Sequence, residues 1–335
     1  MESIPVVSVR DLSVSFYTDN RRNNAIRDVS LTVKSGRTLC VVGESGCGKS
    51  VTASAIMQLL PELSRIENGE IIYHRPEGDL RIDRMPPNSR EMRALRGSDI
   101  AMIFQDPMTA LNPVYTIGFQ IAENLRAHMG MSARQARKRA VELLRAMDIP
   151  LPEQRVNEYP HQFSGGMRQR AMIAMAMSCN PRMLIADEPT TALDVTVQAQ
   201  IFELMNKLKT QYGTAIMLIT HDMGVVTELA DEVSVMYMGY IVEEGTVAEV
   251  LRHPAHPYTR ALLRSIPVLG RGKNQDLRPI RGATPDPFDR PAGCQFAPRC
   301  DFACEQCQKQ HPEKETLEGT HRVRCFRCKE VLANE

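Results

Sequence analysis

Residues 38–60 read TLCVVGESGCGKSVTASAIMQLL: an apolar run, a glycine-rich turn carrying a lysine, and a stretch compatible with a helix. The turn, Gly43–Ser50, fits G-x-x-x-x-G-K-[ST]. Its glycines free backbone N–H groups to curl around phosphates, and the start of the following helix favours their charge. Lys49 reaches the outer phosphates and the Ser50 hydroxyl suits Mg²⁺. A glycine turn with a stray lysine would need neither the strand before it nor the helix after it. The expected nucleotide-binding run is therefore Gly43, Glu44, Ser45, Gly46, Cys47, Gly48, Lys49, Ser50 and Val51.

Outward from this loop the texture is α/β. VSVRDLSVSF and IRDVSLTV alternate apolar and polar residues, as half-buried antiparallel strands do, whereas TLCVVG, IAMIF, MLIAD and AIMLIT are continuous apolar runs suited to strands covered on both faces. Residues 115–178 have a helical texture, with Ser132 as a helix cap before ARQARKRAVELLRAM and an Ala/Met-rich stretch beyond. The expectation is a mainly parallel core sheet with an antiparallel β subdomain and a helical insert at about 106–178. EVSVMYMGYIVEEG reads as a hairpin, and after about residue 250 Pro, Gly, Arg and Cys mark off a tail.

At 335 residues and 43% apolar composition the chain can bury a full core. A net charge of +1 provides no long-range field suited to nucleic acid or an acidic membrane surface. No apolar run approaches the roughly 18 residues needed to cross a bilayer, and MESIPVV lacks a basic region followed by an apolar one. The expectation is a chain kept in the cytosol, where clustered cysteines more often hold metal than form disulfides.

A second carboxylate motif narrows the chemistry. In RMLIADEP a buried strand ends in Asp187 and Glu188, the first placed to support the Mg²⁺ shell and the second to polarise an attacking water as general base. Between the phosphate loop and these acids lies FSGGMRQR, residues 163–170. Together with Gln105 of IFQD, Asp194 of TALD and His221 of ITHD, this set resembles, in order and approximate spacing, the nucleotide-binding subunit of ABC transporters over residues 5–250. The resemblance implies a P-loop NTPase fold, with ATP and Mg²⁺ bound and ATP hydrolysed. It implies Ser50, Gln105 and Asp187 around Mg²⁺, Glu188, His221 and Gln105 as catalytic groups, and Asp194 in the loop after the acids. Phe16 stacks on adenine in this reading, with neighbouring Tyr17 as the alternative.

The signature stretch departs from the common LSGGQ at Phe163 and Met167 but keeps Ser164, Gly165 and Gly166. These residues open the helix MRQRAMIAMAM, so a hydroxyl, bare N–H groups and the helix dipole face a phosphate. By resemblance that phosphate belongs to ATP held by a second, non-identical ATPase subunit, so the family dimerises head to tail. The methionines at 167, 172, 175 and 177 read as packing.

QDPMTALNP (105–113) and HPAHPYTRALL (253–263) resemble landmarks of the oligopeptide and dipeptide importer ATPases. This branch implies residues 1–250 as the nucleotide-binding domain and 251–335 as a small Cys-rich carboxy-terminal extension. Its other implied partners are two transmembrane permease subunits and an extracytoplasmic substrate-binding protein, with the chain peripheral at the cytoplasmic face of the inner membrane. The competing reading is a soluble ABC-type ATPase acting on nucleic acid or ribosomes with a zinc-ribbon tail; neutral charge and a single cassette speak against it.

Six of the nine cysteines follow residue 290. By spacing alone, Cys304, Cys307, Cys325 and Cys328 form two C-x₂-C pairs that suit Zn²⁺. By resemblance to the peptide-importer tail, Cys294, Cys300, Cys307 and Cys325 hold a [4Fe-4S] cluster. Either site would staple a loop-rich tail, and a redox-sensing role for it stays open.

Overall fold

The computed structural model describes residues 4–18, 21–106, 110–190, 194–265 and 280–334. Residues 107–109 of the QDPMTALNP stretch and Thr191–Leu193 of TALD lie outside these. Among the described residues the strands form two sheets. The first is antiparallel, ordered β2-β1-β4-β5, from β1 (Pro5–Thr18), β2 (Arg21–Lys34), β4 (Ser64–Tyr73) and β5 (Leu80–Arg81). The second is ordered β11-β12-β10-β9-β3-β8-β7-β6. Its parallel part comprises β3 (Thr38–Val42), β6 (Ile100–Ile103), β7 (Met183–Asp187), β8 (Ala215–Thr220) and β9 (Glu232–Tyr237). The expected parallel core, antiparallel subdomain and hairpin are all present, the hairpin formed by β9 and β10 (Tyr240–Thr246).

The continuous apolar runs are strands with two buried faces, as their composition predicts. In β3, Cys40 and Val42 pack into one core with Leu184 and Ala186 of β7 and Leu218 of β8. Leu39 and Val41 pack into the other with Met183, Ile185, Met217 and Ile219. The helical insert covers the first face and the antiparallel sheet with the helix Lys49–Ile56 covers the second.

In the insert, Thr116 caps the helix Ile117–Met129 and Ser132 forms a capping box with Gln135 at the helix Ala133–Ala146. Met172 and Met177 are buried, with Met167 and Met175 packed against the same core, so these methionines do pack.

The tail marked off by composition continues the core sheet. β12 (Arg322–Val323) pairs with Glu243 and Glu244 of β10, and β11 (Glu315–Thr316) pairs with β12. Glu243 is buried beneath it, and its carboxylate accepts from the N–H groups of Ala255 (2.7 Å) and His256 (3.0 Å) and faces His321 Nε2 at 2.8 Å. Such saturation is what a buried carboxylate requires. No described helix is long and apolar enough to cross a membrane.

Candidate nucleotide site

Register places the chemistry on one edge of the core sheet. Val42 pairs with Thr220, Asp187 with Ile219 and Ile103 with Ala186, so β3, β8, β7 and β6 end side by side. Ligands of open α/β sheets gather at such carboxyl ends. The phosphate loop leaves β3 there, Glu188 leaves β7, His221 leaves β8 and Gln105 lies just past β6.

The loop needs its glycines for two separate reasons. Gly43 (φ 155°) lies so close to β9 that a Cβ would sit 2.1 Å from the Met236 carbonyl oxygen. Gly48 (φ 110°) has a left-handed conformation over Ile26 of β2. Lys49 is buried at 5% exposure, and its Nζ donates to the carbonyls of Gly43 (2.7 Å) and Glu44 (3.0 Å) at the loop entrance. Ser45, Gly46 and Ser50 are exposed, Cys47 is buried, and Val51 packs into the core below.

Glu188 stands at φ 46°, a left-handed conformation costly for a side-chain-bearing residue, while its N–H donates to the Ile219 carbonyl at 2.9 Å. Its carboxylate is held from both sides. Gln105 Nε2 donates to Oε2 at 2.9 Å and His221 Nδ1 lies 3.2 Å from Oε1. One residue earlier, Asp187 is buried and its Oδ1 has no hydrogen-bond partner among the described residues. Burial pushes its carboxyl pKa up, the Ser50 hydroxyl opposes this, and Glu188 pushes it further up. A buried carboxylate oxygen left unpaired beside a serine hydroxyl is the donor set a hard cation such as Mg²⁺ takes.

Ser164 caps the helix Gly165–Ala176, its hydroxyl accepting from the Met167 N–H at 3.3 Å. Ser164 and Gly165 are exposed, and a Cβ on Gly165 would meet nothing within 4 Å among the described residues. A Cβ on Gly166 would touch Val197, in the helix Val195–Tyr212 that Asp194 caps. The buried Gln169 donates through Nε2 to the Pro189 carbonyl, tying the signature helix to the residue after Glu188.

On β1, Val14 pairs with Ile26, the register to β2 shifts after Val14, and the half-buried Phe16 lies opposite Asn23. The Tyr17 hydroxyl is taken by Glu67 at 2.5 Å, with Arg65 over its ring.

All nine cysteines are free. Cys294, Cys300, Cys307 and Cys325 line one small cavity together with Phe296 and Phe302. Burial pushes the thiol pKa up at each of the four, and at Cys300 and Cys325 it reaches about 12. Cys328 turns instead toward Glu315 (3.7 Å), and Cys304 lies outside the cavity with its sulfur 3.4 Å from that of Cys307. Among the described residues no group of three or more His, Cys, Asp or Glu side chains is placed to hold a metal ion. This holds for both four-cysteine sets, the one picked by C-x₂-C spacing and the one taken from the resemblance.

Sequence reasoning missed the partners of Glu44. Arg299 Nη1 and Nη2 donate to its carboxylate at 2.7 and 3.0 Å, and its N–H donates to the Tyr258 hydroxyl at 2.8 Å. The one available signal was an arginine inside a cysteine run and a tyrosine inside HPYTR.

A glycine phosphate loop, adjacent acids on the next strand but one and a serine-capped signature helix define an ATP-binding-cassette ATPase. Residues 26–191 match the ABC transporter family, and residues 242–307 match the oligopeptide/dipeptide transporter C-terminal region. The oligopeptide transport ATP-binding protein OppD of Bacillus subtilis is 50% identical over 322 residues, covering 96% of this chain and 88% of that protein. The dipeptide transport ATP-binding protein DppD of the same organism is 48% identical, covering 96% of this chain and 94% of that protein. A solved dimeric ATP-binding cassette in a post-hydrolysis state with ADP and Pi is 28% identical with a TM-score of 0.63, covering 72% of this chain and 98% of that one. The chain belongs to the ATP-binding subunits of peptide-importing ABC transporters, the oligopeptide and dipeptide branch.

Proposed function

We propose that this chain hydrolyses ATP at the edge formed by β3, β8, β7 and β6 and so drives import of di- or oligopeptides, or similarly small polar solutes, through separate permeases. The observation that carries the assignment of groups is the Gln105–Glu188–His221 contact set beside Asp187, Ser50 and Lys49. Glu188 takes a proton from the attacking water at its carboxylate, Gln105 and His221 hold that carboxylate in place, and Lys49 meets the outer phosphates. Ser50, Asp187 and Gln105 would hold Mg²⁺, which neutralises charge on the phosphates when bound. Phe16 covers adenine; the engagement of Tyr17 with Glu67 leaves Phe16 the better candidate.

Ser164, Gly165, Gly166 and Met167, with Asp194 nearby, act on ATP held by a second, non-identical ATPase subunit. The exposure of Ser164 and Gly165 supports this, as does the dimeric state of the solved cassette. Two transmembrane permeases and an extracytoplasmic binding protein complete the assembly, with this chain peripheral at the cytoplasmic face of the inner membrane. Cys294, Cys300, Cys307 and Cys325 would hold a [4Fe-4S] cluster, which serves as a structural staple. Their shared cavity supports that set over the zinc alternative, and a cubane binds thiolates at separate corners, wider apart than a single ion does.

Purification of the native chain from membranes tests the assembly. It should bring down two multi-span proteins, and vesicles containing them should take up peptide only with ATP inside. Recovery with ribosomes or nucleic acid would favour the alternative ATPase class.

A further inference from the structure

Glu44, the second residue of the phosphate loop, is gripped by residues more than 200 positions away. Arg299 binds its carboxylate with two N–H groups, Thr284 Oγ1 donates to Oε2 at 3.0 Å, and the Tyr258 hydroxyl accepts from its backbone N–H. The Glu44 carbonyl in turn receives Lys49 Nζ. Tyr258 and Arg299 both lie outside the ABC transporter match and inside the peptide-transporter C-terminal match.

We propose that Arg299 and Tyr258 are positioning residues of the nucleotide site: the tail clamps Glu44 so that the phosphate loop and Lys49 are held ready for ATP. This rests on reading Gly43–Val51 as the phosphate loop. An unpaired carboxylate in that loop would repel incoming phosphates, and the guanidinium removes that charge where solvent screens little, the two side chains being 5% and 25% exposed. A planar fork also fixes direction, which a point charge does not.

Arg299 is itself fixed. Its Nε donates to the Arg281 carbonyl at 2.9 Å, and its head lies over the rings of Tyr237 and Phe296 at 5.8 and 5.9 Å. Tyr237 packs on Tyr258 with centroids 4.6 Å apart, so both arms of the clamp share one aromatic wall. Burial pushes the Glu44 carboxyl pKa up, but the hydrogen bonds from Arg299 and Thr284 outweigh it and leave the pKa below its ordinary value.

The test is the affinity of the full chain for a non-hydrolysable MgATP analogue, measured by titration calorimetry. Arg299→Met should weaken binding about tenfold by depopulating the competent loop, with Arg299→Lys in between. In a Glu44→Gln background, where no carboxylate remains to neutralise, Arg299→Met should cost about twofold or less. A merely structural arginine would give equal losses in both backgrounds. Equal losses, or an Arg299→Met affinity within about twofold of the parent, would overturn the clamp. If Arg299→Met does not fold, Arg299→Lys and Thr284→Val carry the same comparison. Lys49→Ala separates the two layers: normal binding by that variant refutes the loop assignment itself, whereas lost binding there with unchanged Arg299 variants refutes only the clamp.

Discussion

Glu188 owes its place to a strained backbone, a left-handed residue directly after the last strand residue Asp187. Such a conformation costs on the order of 1–3 kcal/mol and persists where the surroundings dictate it. Here the Ile219 carbonyl fixes the backbone while Gln105 and His221 fix the carboxylate. Gln105→Ala and His221→Ala should therefore each lower ATP hydrolysis by about 10²-fold through misplacement of the base, with ATP affinity little changed for His221→Ala. Single-turnover rates with calorimetric affinities check this, and rates within a factor of about three of the parent would remove the positioning role. Glu188 was legible because it ends an apolar run long enough to read as a buried strand, whereas Gln105 and His221 took their roles from the resemblance of the whole motif set. The Glu44–Arg299 pair was not legible, since 255 residues separate its members and charge pairing leaves no periodic trace.

At the scale of elements, the junction between core and tail turns on one helix cap. Glu249 closes a capping box with Thr246 and also accepts from the N–H and the hydroxyl of Thr320 in the tail. Burial pushes its carboxyl pKa up, but these hydrogen bonds outweigh it and bring it from 4.5 down to about 2. A depressed carboxylate pKa stabilises fully above the unfolded value and loses that contribution as pH falls through the folded one. Glu249→Gln should thus lower Tm at neutral pH, and the gap to the parent should close between 4.5 and about 2. A gap constant with pH would rule out the ionised cap. β11 and β12 were not legible in the sequence, because two residues each carry no alternation to detect. In the cysteine run spacing and resemblance give different ligand sets: Cys304 Sγ lies 3.4 Å from Cys307 Sγ, while Cys328 turns toward Glu315. Anaerobically purified protein should be brown, with about four iron atoms per chain. Cys294→Ser or Cys300→Ser should bleach it, and Cys304→Ser or Cys328→Ser should not. A colourless protein with a single zinc, lost on changing Cys304 or Cys328, would reverse the ligand choice and leave the ATPase untouched.

For the whole molecule, the proposed function gives one chain two half-sites: the phosphate loop with its acids and the exposed serine-capped signature helix. The isolated chain should accordingly be a poor ATPase. In the assembled transporter, Lys49→Ala should prevent photolabelling of this chain by an ATP analogue, while Ser164→Arg should leave that labelling intact and impair the site whose lysine belongs to the partner. Loss of the same site by both changes would refute head-to-tail sharing. The phosphate loop was legible as a short local motif, the signature half-site through the family resemblance; which chain completes them is a property of the assembly. The most direct measurement is ATP binding and hydrolysis by the assembled transporter carrying Glu188→Gln, with the partner's own ATP site disabled. Binding should persist and hydrolysis should fall by about 10²- to 10⁴-fold, whereas a fall of less than about threefold would contradict Glu188 as the base that drives transport.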